Sequence, residues 1–149
     1  MDLFINIVLT ASSTALFCYW FRYVCLLILA AETPHDYGRE TADANQLSFP
    51  EVRARLRGHD FADLSPLRKC LERDFAIVTY LLDHTPAATG FDICFDEAML
   101  KLHFRAMSAC FQLTHHNLHR CATDALEEMS LVVAHLANQL GERSAAYGR

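Results

Sequence analysis

The sequence is poor in residues that interrupt helices and in the short motifs that mark common catalytic sites. It has five glycines and four prolines among 149 residues. It contains no GxSxG elbow, no P-loop and no GxGxxG loop, so neither a hydrolase nucleophile nor a glycine-rich phosphate cradle is indicated. Its six cysteines include no CxxC pair that would bind zinc or exchange disulfides. We therefore expect a protein that is not an enzyme and that has no cofactor.

Charge is almost absent from the N-terminal segment. Between Leu3 and Ala31 the one charged side chain is Arg22, and a bilayer core takes about 20 helical residues. The segment lacks the basic start of a cleaved signal peptide, so residues 1–31 are interpreted as a retained transmembrane anchor. Its residues 24–31 form an apolar extension that either lengthens a tilted span or docks on protein. Residues typical of a membrane interface lie between the two parts: Tyr19, Trp20, Arg22 and Tyr23.

Small side chains recur along one side of the anchor. Ala11, Ala15 and Cys18 are spaced by four and three residues, which would let another transmembrane helix approach closely. No arginine precedes the span, whereas Arg22 and Arg39 lie at or after its end. The positive-inside rule therefore places the bulk of the chain in the cytoplasm.

The net charge of −5 excludes a nucleic-acid binder that acts through bulk positive charge. Positive charge is concentrated locally at Arg53, Arg55 and Arg57. On a short helix near the membrane these side chains would contact anionic lipid headgroups or an acidic partner, and a simple solvated face is the alternative. No small-molecule substrate is indicated.

The remaining sequence predicts helices only. We expect a polar connector at 32–47, a helical bundle at 48–141, in which Gly141 ends the last helix, and a C-terminal tail at 142–149. Within the bundle, capping signals and apolar periodicity predict helices at about 48–58, 65–84, 92–116 and 118–140. The last two are expected to form a hairpin rather than one continuous helix. The predicted fold is all-α, with a single N-terminal transmembrane helix followed by a small bundle of three to four helices.

One carboxylate interrupts an apolar face. Asp74 falls near the middle of the apolar arc of helix 65–84, where an unpaired charge would cost several kcal/mol. It should therefore have a partner on another helix, and Arg105, His103 and His119 are the candidates. A structural ion pair is the interpretation, with an acid or ligand role as the alternative.

The helix at 92–116 carries two apolar faces about 160° to 180° apart. One face consists of Phe95, Met99, Leu102, Ala106, Ala109, Cys110 and Leu113. The second face consists of Ile93, Leu100, Phe104 and Phe111. A helix in a small bundle needs one such face, so the second is predicted to bind a partner chain or the anchor, with packing against another layer of the same domain as the alternative.

Three histidines form the one pattern in the sequence that resembles a metal-binding motif. His115 and His119 would lie one turn apart on a helix, the spacing that chelates a metal ion, and His116 lies between them. The glutamate of an HExxH motif is missing. Polar residues at a helix junction are the simpler interpretation.

These features lead to three hypotheses. The first is a non-catalytic single-span membrane protein that serves as a structural subunit or adaptor, with other membrane-protein subunits, a second copy or membrane lipid as partners. The second is a metal- or haem-binding redox or sensor protein that uses His115, His116 and His119. The third is a homo-oligomeric scaffold or filament held together by the N-terminal helices.

Overall fold

A computed structural model describes residues 1–31, 36–58, 63–85, 91–116 and 118–147, apart from the side chains of 91–94. These residues form six α-helices and no β-strand, which confirms the predicted all-α class. The helices are α1 (Asp2–Ala30), α2 (Gly38–Asn45), α3 (Phe49–Gly58), α4 (Ser65–His84), α5 (Phe91–Thr114) and α6 (His119–Tyr147). The chain divides into two compact units, Met1–Glu32 and Thr33–Arg149.

The first unit is the single helix α1. It runs without a break through residues 24–30, so the expected apolar extension is the C-terminal part of the same helix. By length and composition α1 can cross a membrane. Two of its hydroxyl groups are bonded within the helix, because Thr10 Oγ1 donates to the Asn6 carbonyl and Thr14 Oγ1 to the Thr10 carbonyl, both at 2.8 Å. Such bonds satisfy polar side chains without a partner from another element.

The second unit is built around α6. Helices α2, α3, α4 and α5 all pack against it. Its buried side chains follow helical spacing and are mostly apolar at the centre of the bundle, as Leu126, Met129, Val133 and Leu136 show. The bundle thus has five described helices rather than three to four.

The additional helix is α2, which forms inside the segment predicted to be a connector. It is held on α6 at its start, where the Tyr37 backbone amide donates to Asn138 Oδ1 at 2.6 Å. Residue Gln46 ends α2 in the left-handed conformation, with φ of 53°. The Arg73 guanidinium of α4 donates to the Gln46 carbonyl at 3.1 Å and fixes this turn.

Gly141 does not end the last helix, and that prediction is wrong. Helix α6 continues through it to Tyr147. A Cβ atom at this position would collide with the Tyr37 side chain and would lie 2.8 Å from Thr41 Oγ1. The glycine therefore allows α2 to approach α6, and residues 142–147 belong to the helix rather than to a tail.

The hairpin between the last two helices is confirmed. Helix α5 ends at Thr114, α6 begins at His119, and the two pack along each other. A continuous helix would leave the apolar face of α6 without this neighbour.

Candidate functional site

The face of α5 that was predicted to bind a partner is buried inside the bundle, so that prediction is wrong for three of its four residues. Leu100, Phe104 and Phe111 are at most 3% exposed, and the side chain of Ile93 lies outside the described residues. The Phe104 ring stacks on that of Phe75 in α4, with centroids 3.9 Å apart. This face is covered because α4 and α6 both pack against it.

The opposite face of α5 is exposed instead. Leu102 is 56% and Leu113 is 82% exposed, and Phe95, Ala106 and Ala109 are also accessible. We call these five residues the exposed α5 face. The half-buried Met99 continues their spacing of four and three residues. Alternation of four and three is the heptad spacing with which one helix packs along another.

Two further features distinguish the exposed α5 face. Its middle is formed by Ala106 and Ala109, so a second backbone could approach closely there. Arg105 is exposed at one edge of the face, about 70° around the helix from its centre. The face thus combines bulky ends, a small centre and one positive charge.

A second candidate site is a cavity of about 320 Å³ at the start of α2 and α3. Arg39 from α2 and Arg53 and Arg57 from α3 line it. We call this cavity the arginine pocket. Arg55 does not line it, so only two of the three arginines predicted to contact lipid share this site. The sequence separates Arg39 from the other two arginines, so the cluster was not foreseen.

The remaining lining of the arginine pocket is mixed. Phe49, Pro50, Gly38 and Ala134 provide apolar and backbone surface, and Asp36 provides one carboxylate. Asp36 Oδ1 accepts a hydrogen bond from the Gly38 amide at 3.1 Å. Three guanidinium groups therefore face one carboxylate, and that carboxylate is already bonded to the backbone.

Asp74 is fully buried, as expected, but its partners are backbone amides. Its Oδ2 accepts a hydrogen bond from the Ser48 amide at 2.6 Å. Burial raises the pKa of this carboxyl group, and the amides of Ser48 and Phe49 and the charge of Arg73 partly offset the rise. Asp74 thus holds the start of α3, and the prediction of a charged or histidine partner is wrong.

The candidate partners of Asp74 have other roles. Arg105 is exposed on α5. His103 is buried, and its Nε2 lies 3.1 Å from Glu128 Oε2 of α6. His119 is exposed at the first position of α6.

The three histidines of the predicted metal pattern are not arranged as a ligand set. His115 and His116 lie in a turn after α5, whereas His119 begins α6, so the assumed one-turn spacing on a single helix is absent. The His115 ring packs on that of His116 at 3.8 Å, and its Nδ1 donates to the Gln112 carbonyl. Among all described residues, no group of three His, Cys, Asp or Glu is placed to hold a metal ion.

An ion network that is buried at Arg143 and Glu97 and exposed at Asp83 joins α4, α5 and α6 and was not predicted. Arg143 donates to Glu97 Oε2 at 2.8 Å and to the Leu82 carbonyl at 3.3 Å. Lys101 bridges Glu97 and Asp83 at 2.7 and 2.8 Å, and its pKa is raised by the two carboxylates despite the opposing effect of burial. The spacing of Glu97 and Lys101 was visible in the sequence, but Arg143 was assigned to a tail.

The half-buried His135 of α6 has a lowered pKa. Burial lowers the pKa of His135, while the carboxylates of Glu142 and Asp96 act in the opposite direction. The Gln139 side-chain amide lies 3.3 Å from its ring nitrogen. His135 is therefore part of the packing of the bundle.

The residues predicted for the membrane all lie on α1. Tyr19, Trp20, Arg22 and Tyr23 are exposed within little more than one turn. Ala11 and Ala15 lie in a shallow groove along the helix, and Cys18 continues that face and is a free thiol.

Function has to be inferred from α1, the exposed α5 face and the arginine pocket themselves. Each is defined by residues of one unit of the chain. No family model matches the chain, and neither does any curated protein or any solved structure.

Proposed function

We propose that this chain is a non-catalytic, single-span membrane protein that serves as an assembly subunit or adaptor. Helix α1 anchors it, and the exposed α5 face binds a helix of a partner protein. The observation that carries the proposal is the exposed α5 face, where five apolar residues with heptad spacing are open to solvent while the opposite apolar face of α5 is packed. A face of this kind on a helix marks an interaction surface.

The anchor role is supported by the character of α1. Its residues from Asp2 to Trp20 are all exposed although thirteen of the nineteen are apolar, so this stretch requires an apolar environment. Its threonine hydroxyls are satisfied within the helix, which lowers the cost of a lipid environment. Arg22 lies in the last third of α1 and Arg39 lies after it, with no arginine before the helix, so the positive-inside rule places the bulk of the chain in the cytoplasm.

The chemistry of the exposed α5 face favours a different chain as its occupant. In an antiparallel pair of copies, Arg105 would face the same arginine across the two-fold axis, and like charges in that position are unfavourable. In a parallel pair in register, Ala106 would face the alanine of the second copy and Leu113 would face its leucine. The alanines would leave a gap between the two helices while the leucines held them apart, so the pair would pack poorly. A partner helix with bulky apolar residues opposite Ala106 and Ala109 and an acidic residue opposite Arg105 fits better.

The oligomeric state of the full chain in mild detergent tests this choice. We expect a single protein chain per particle by light scattering, because the occupant is another protein. A dimer that dissociates in the Leu102→Ser, Leu113→Ser double variant would show that a second copy occupies the face and would overturn the proposed partner. Rod-shaped assemblies of many copies that dissociate in the same double variant would favour a homo-oligomeric scaffold.

The partner itself is tested by photocrosslinking in native membranes. A crosslinking amino acid at position 102 should give a discrete product, and one at Tyr80, equally exposed but on α4, should not. The captured partner protein should contain a helix with apolar residues at heptad spacing and an acidic residue that can face Arg105. Arg105→Glu should weaken its capture about tenfold, and replacing that acid by arginine should restore it. Equal products from positions 102 and 80 would contradict the proposal.

A further inference from the structure

The arginine pocket offers a binding site that is independent of the exposed α5 face. Arg39 comes from the first turn of α2, and Arg53 and Arg57 come from one side of α3. We propose that this pocket binds a phosphate group, carried either by the headgroup of an acidic phospholipid or by a small phosphorylated molecule.

The hydrogen-bond donors of the arginine pocket are of the type that binds phosphate. A guanidinium group keeps its charge at all physiological pH values and presents a planar set of N–H donors that fits two phosphate oxygens at once. Arg53 and Arg57 are one helical turn apart and so point to the same side of α3, and Arg39 lines the cavity from another helix. Donors from two helices can surround an anion, whereas a row on one helix can only lie beside it.

The size and lining of the pocket favour a small polar group. A volume of about 320 Å³ is at the lower end of the range of roughly 300–1,000 Å³ found for small-molecule sites. Phe49, Pro50 and Ala134 provide a limited apolar wall. This would accommodate a phosphate with a few attached atoms, such as glycerol phosphate, rather than an extended apolar ligand.

The one carboxylate in the pocket does not cancel its charge. Asp36 is bonded to the Gly38 amide through Oδ1, and the guanidinium groups of Arg39 and Arg53 already outnumber it. The local charge is therefore positive on a chain whose net charge is −5. Such a local excess attracts anions to this cavity in preference to the rest of the surface.

Arg55 provides a matched control within the same helix. It is exposed like Arg57 but does not line the pocket. A nonspecific electrostatic effect would depend equally on Arg53 and Arg55, because either substitution removes one positive charge from α3. Binding in the arginine pocket would instead depend on Arg53 and not on Arg55.

The test measures the melting temperature and ligand titration of the full chain in neutral detergent. One arm adds inorganic phosphate, a second adds glycerol phosphate, and a third adds phosphatidic acid in mixed micelles with phosphatidylcholine. We expect wild type and Arg55→Ala to bind at least one phosphate probe with similar affinity. Arg53→Ala and Arg39→Ala should bind it about tenfold or more weakly.

The three arms separate the sources of the phosphate. Binding of phosphatidic acid alone assigns the site to a lipid headgroup, and binding of the soluble probes assigns it to a small phosphorylated molecule. Arg53→Lys keeps the charge but loses the bidentate geometry, so it should bind more weakly than wild type even if Arg53→Ala does not fold. The proposal is overturned if no probe binds, or if Arg55→Ala weakens binding as much as Arg53→Ala and Arg39→Ala do.

Discussion

At the scale of single residues, the buried Asp74 and the exposed Arg73 both position backbone. Asp74 accepts the Ser48 amide at the start of α3, and Arg73 donates to the Gln46 carbonyl just before it. Two neighbouring residues of α4 thereby hold the turn between α2 and α3. Since that turn also precedes Phe49 and Pro50, these contacts support the wall of the arginine pocket.

The raised pKa of Asp74 makes stability depend on pH in a defined direction. In the unfolded chain the carboxyl group has its ordinary pKa of 3.8, and burial in the folded state raises that pKa. Above about pH 4 the folded state therefore binds more protons, and stability falls as the pH rises through the folded pKa. Asp74→Asn keeps an acceptor for the Ser48 amide but cannot ionise. It should be more stable than wild type at pH 7, and the difference should disappear towards pH 4.

Urea unfolding between pH 4 and 7 measures this difference. Asp43→Asn, on an exposed position of α2, serves as the control and should show no such change of the difference with pH. A difference between Asp74→Asn and wild type that stays constant or grows towards acid pH would contradict the role assigned to burial.

Residue-level chemistry also explains one failure of prediction. Glycine is common just after the last residue of a helix. The sequence around Gly141 gives no sign that the glycine is instead needed because a Cβ atom would prevent close packing. The contact that requires it comes from Tyr37, a residue far away in sequence. Placing the helix end at Gly141 also hid Arg143, whose pairing with Glu97 lies beyond it.

At the scale of elements, apolar periodicity predicted where the helices lie in the sequence but not which faces of them pack against other helices. The predicted bounds of α4 agree with the structure, and the break between α5 and α6 lies where it was expected. Both apolar faces of α5 were also identified. Periodicity gives the angle between two faces but not which of them the other helices cover, and the assignment was therefore reversed.

The two faces of α5 should respond differently to the same substitution. Leu102→Ser with Leu113→Ser removes exposed apolar groups and should change the free energy of unfolding by less than about 1 kcal/mol. Leu100→Ser with Phe104→Ser removes buried groups and should cost at least about 4 kcal/mol or prevent folding. Urea unfolding of the full chain in detergent measures both. Similar losses for the two pairs would mean that the exposed α5 face is covered within the chain.

At the scale of the whole molecule, one helix organises the second unit. Helix α6 packs against α2, α3, α4 and α5, and its central residues Met129, Val132, Val133 and Leu136 are fully buried. The arginine pocket also depends on α6, since Ala134 is part of its lining. The sequence showed the amphipathic pattern of α6 but not its central place, because contacts between distant segments leave no local periodic signal.

Hydrogen exchange should reveal this hierarchy. Amides in the middle of α6, about residues 126–136, should exchange only through global unfolding of the unit. Helix α2 is eight residues long and lies on one side of α6, so it should open locally and exchange sooner. Exchange measured by mass spectrometry resolves the two segments. Equal protection of α2 and central α6 would show that the second unit opens only as a whole.

The central place of α6 has a consequence for biosynthesis. The ribosome produces α2, α3, α4 and α5 before the helix on which all four pack. Until α6 has emerged, the inner side chains of these helices, such as Val78 and Phe104, have no completed core to enter. Helix α1 leaves the ribosome before these helices. The nascent chain therefore carries apolar helical surface for most of its synthesis, a period in which chaperones would be needed most.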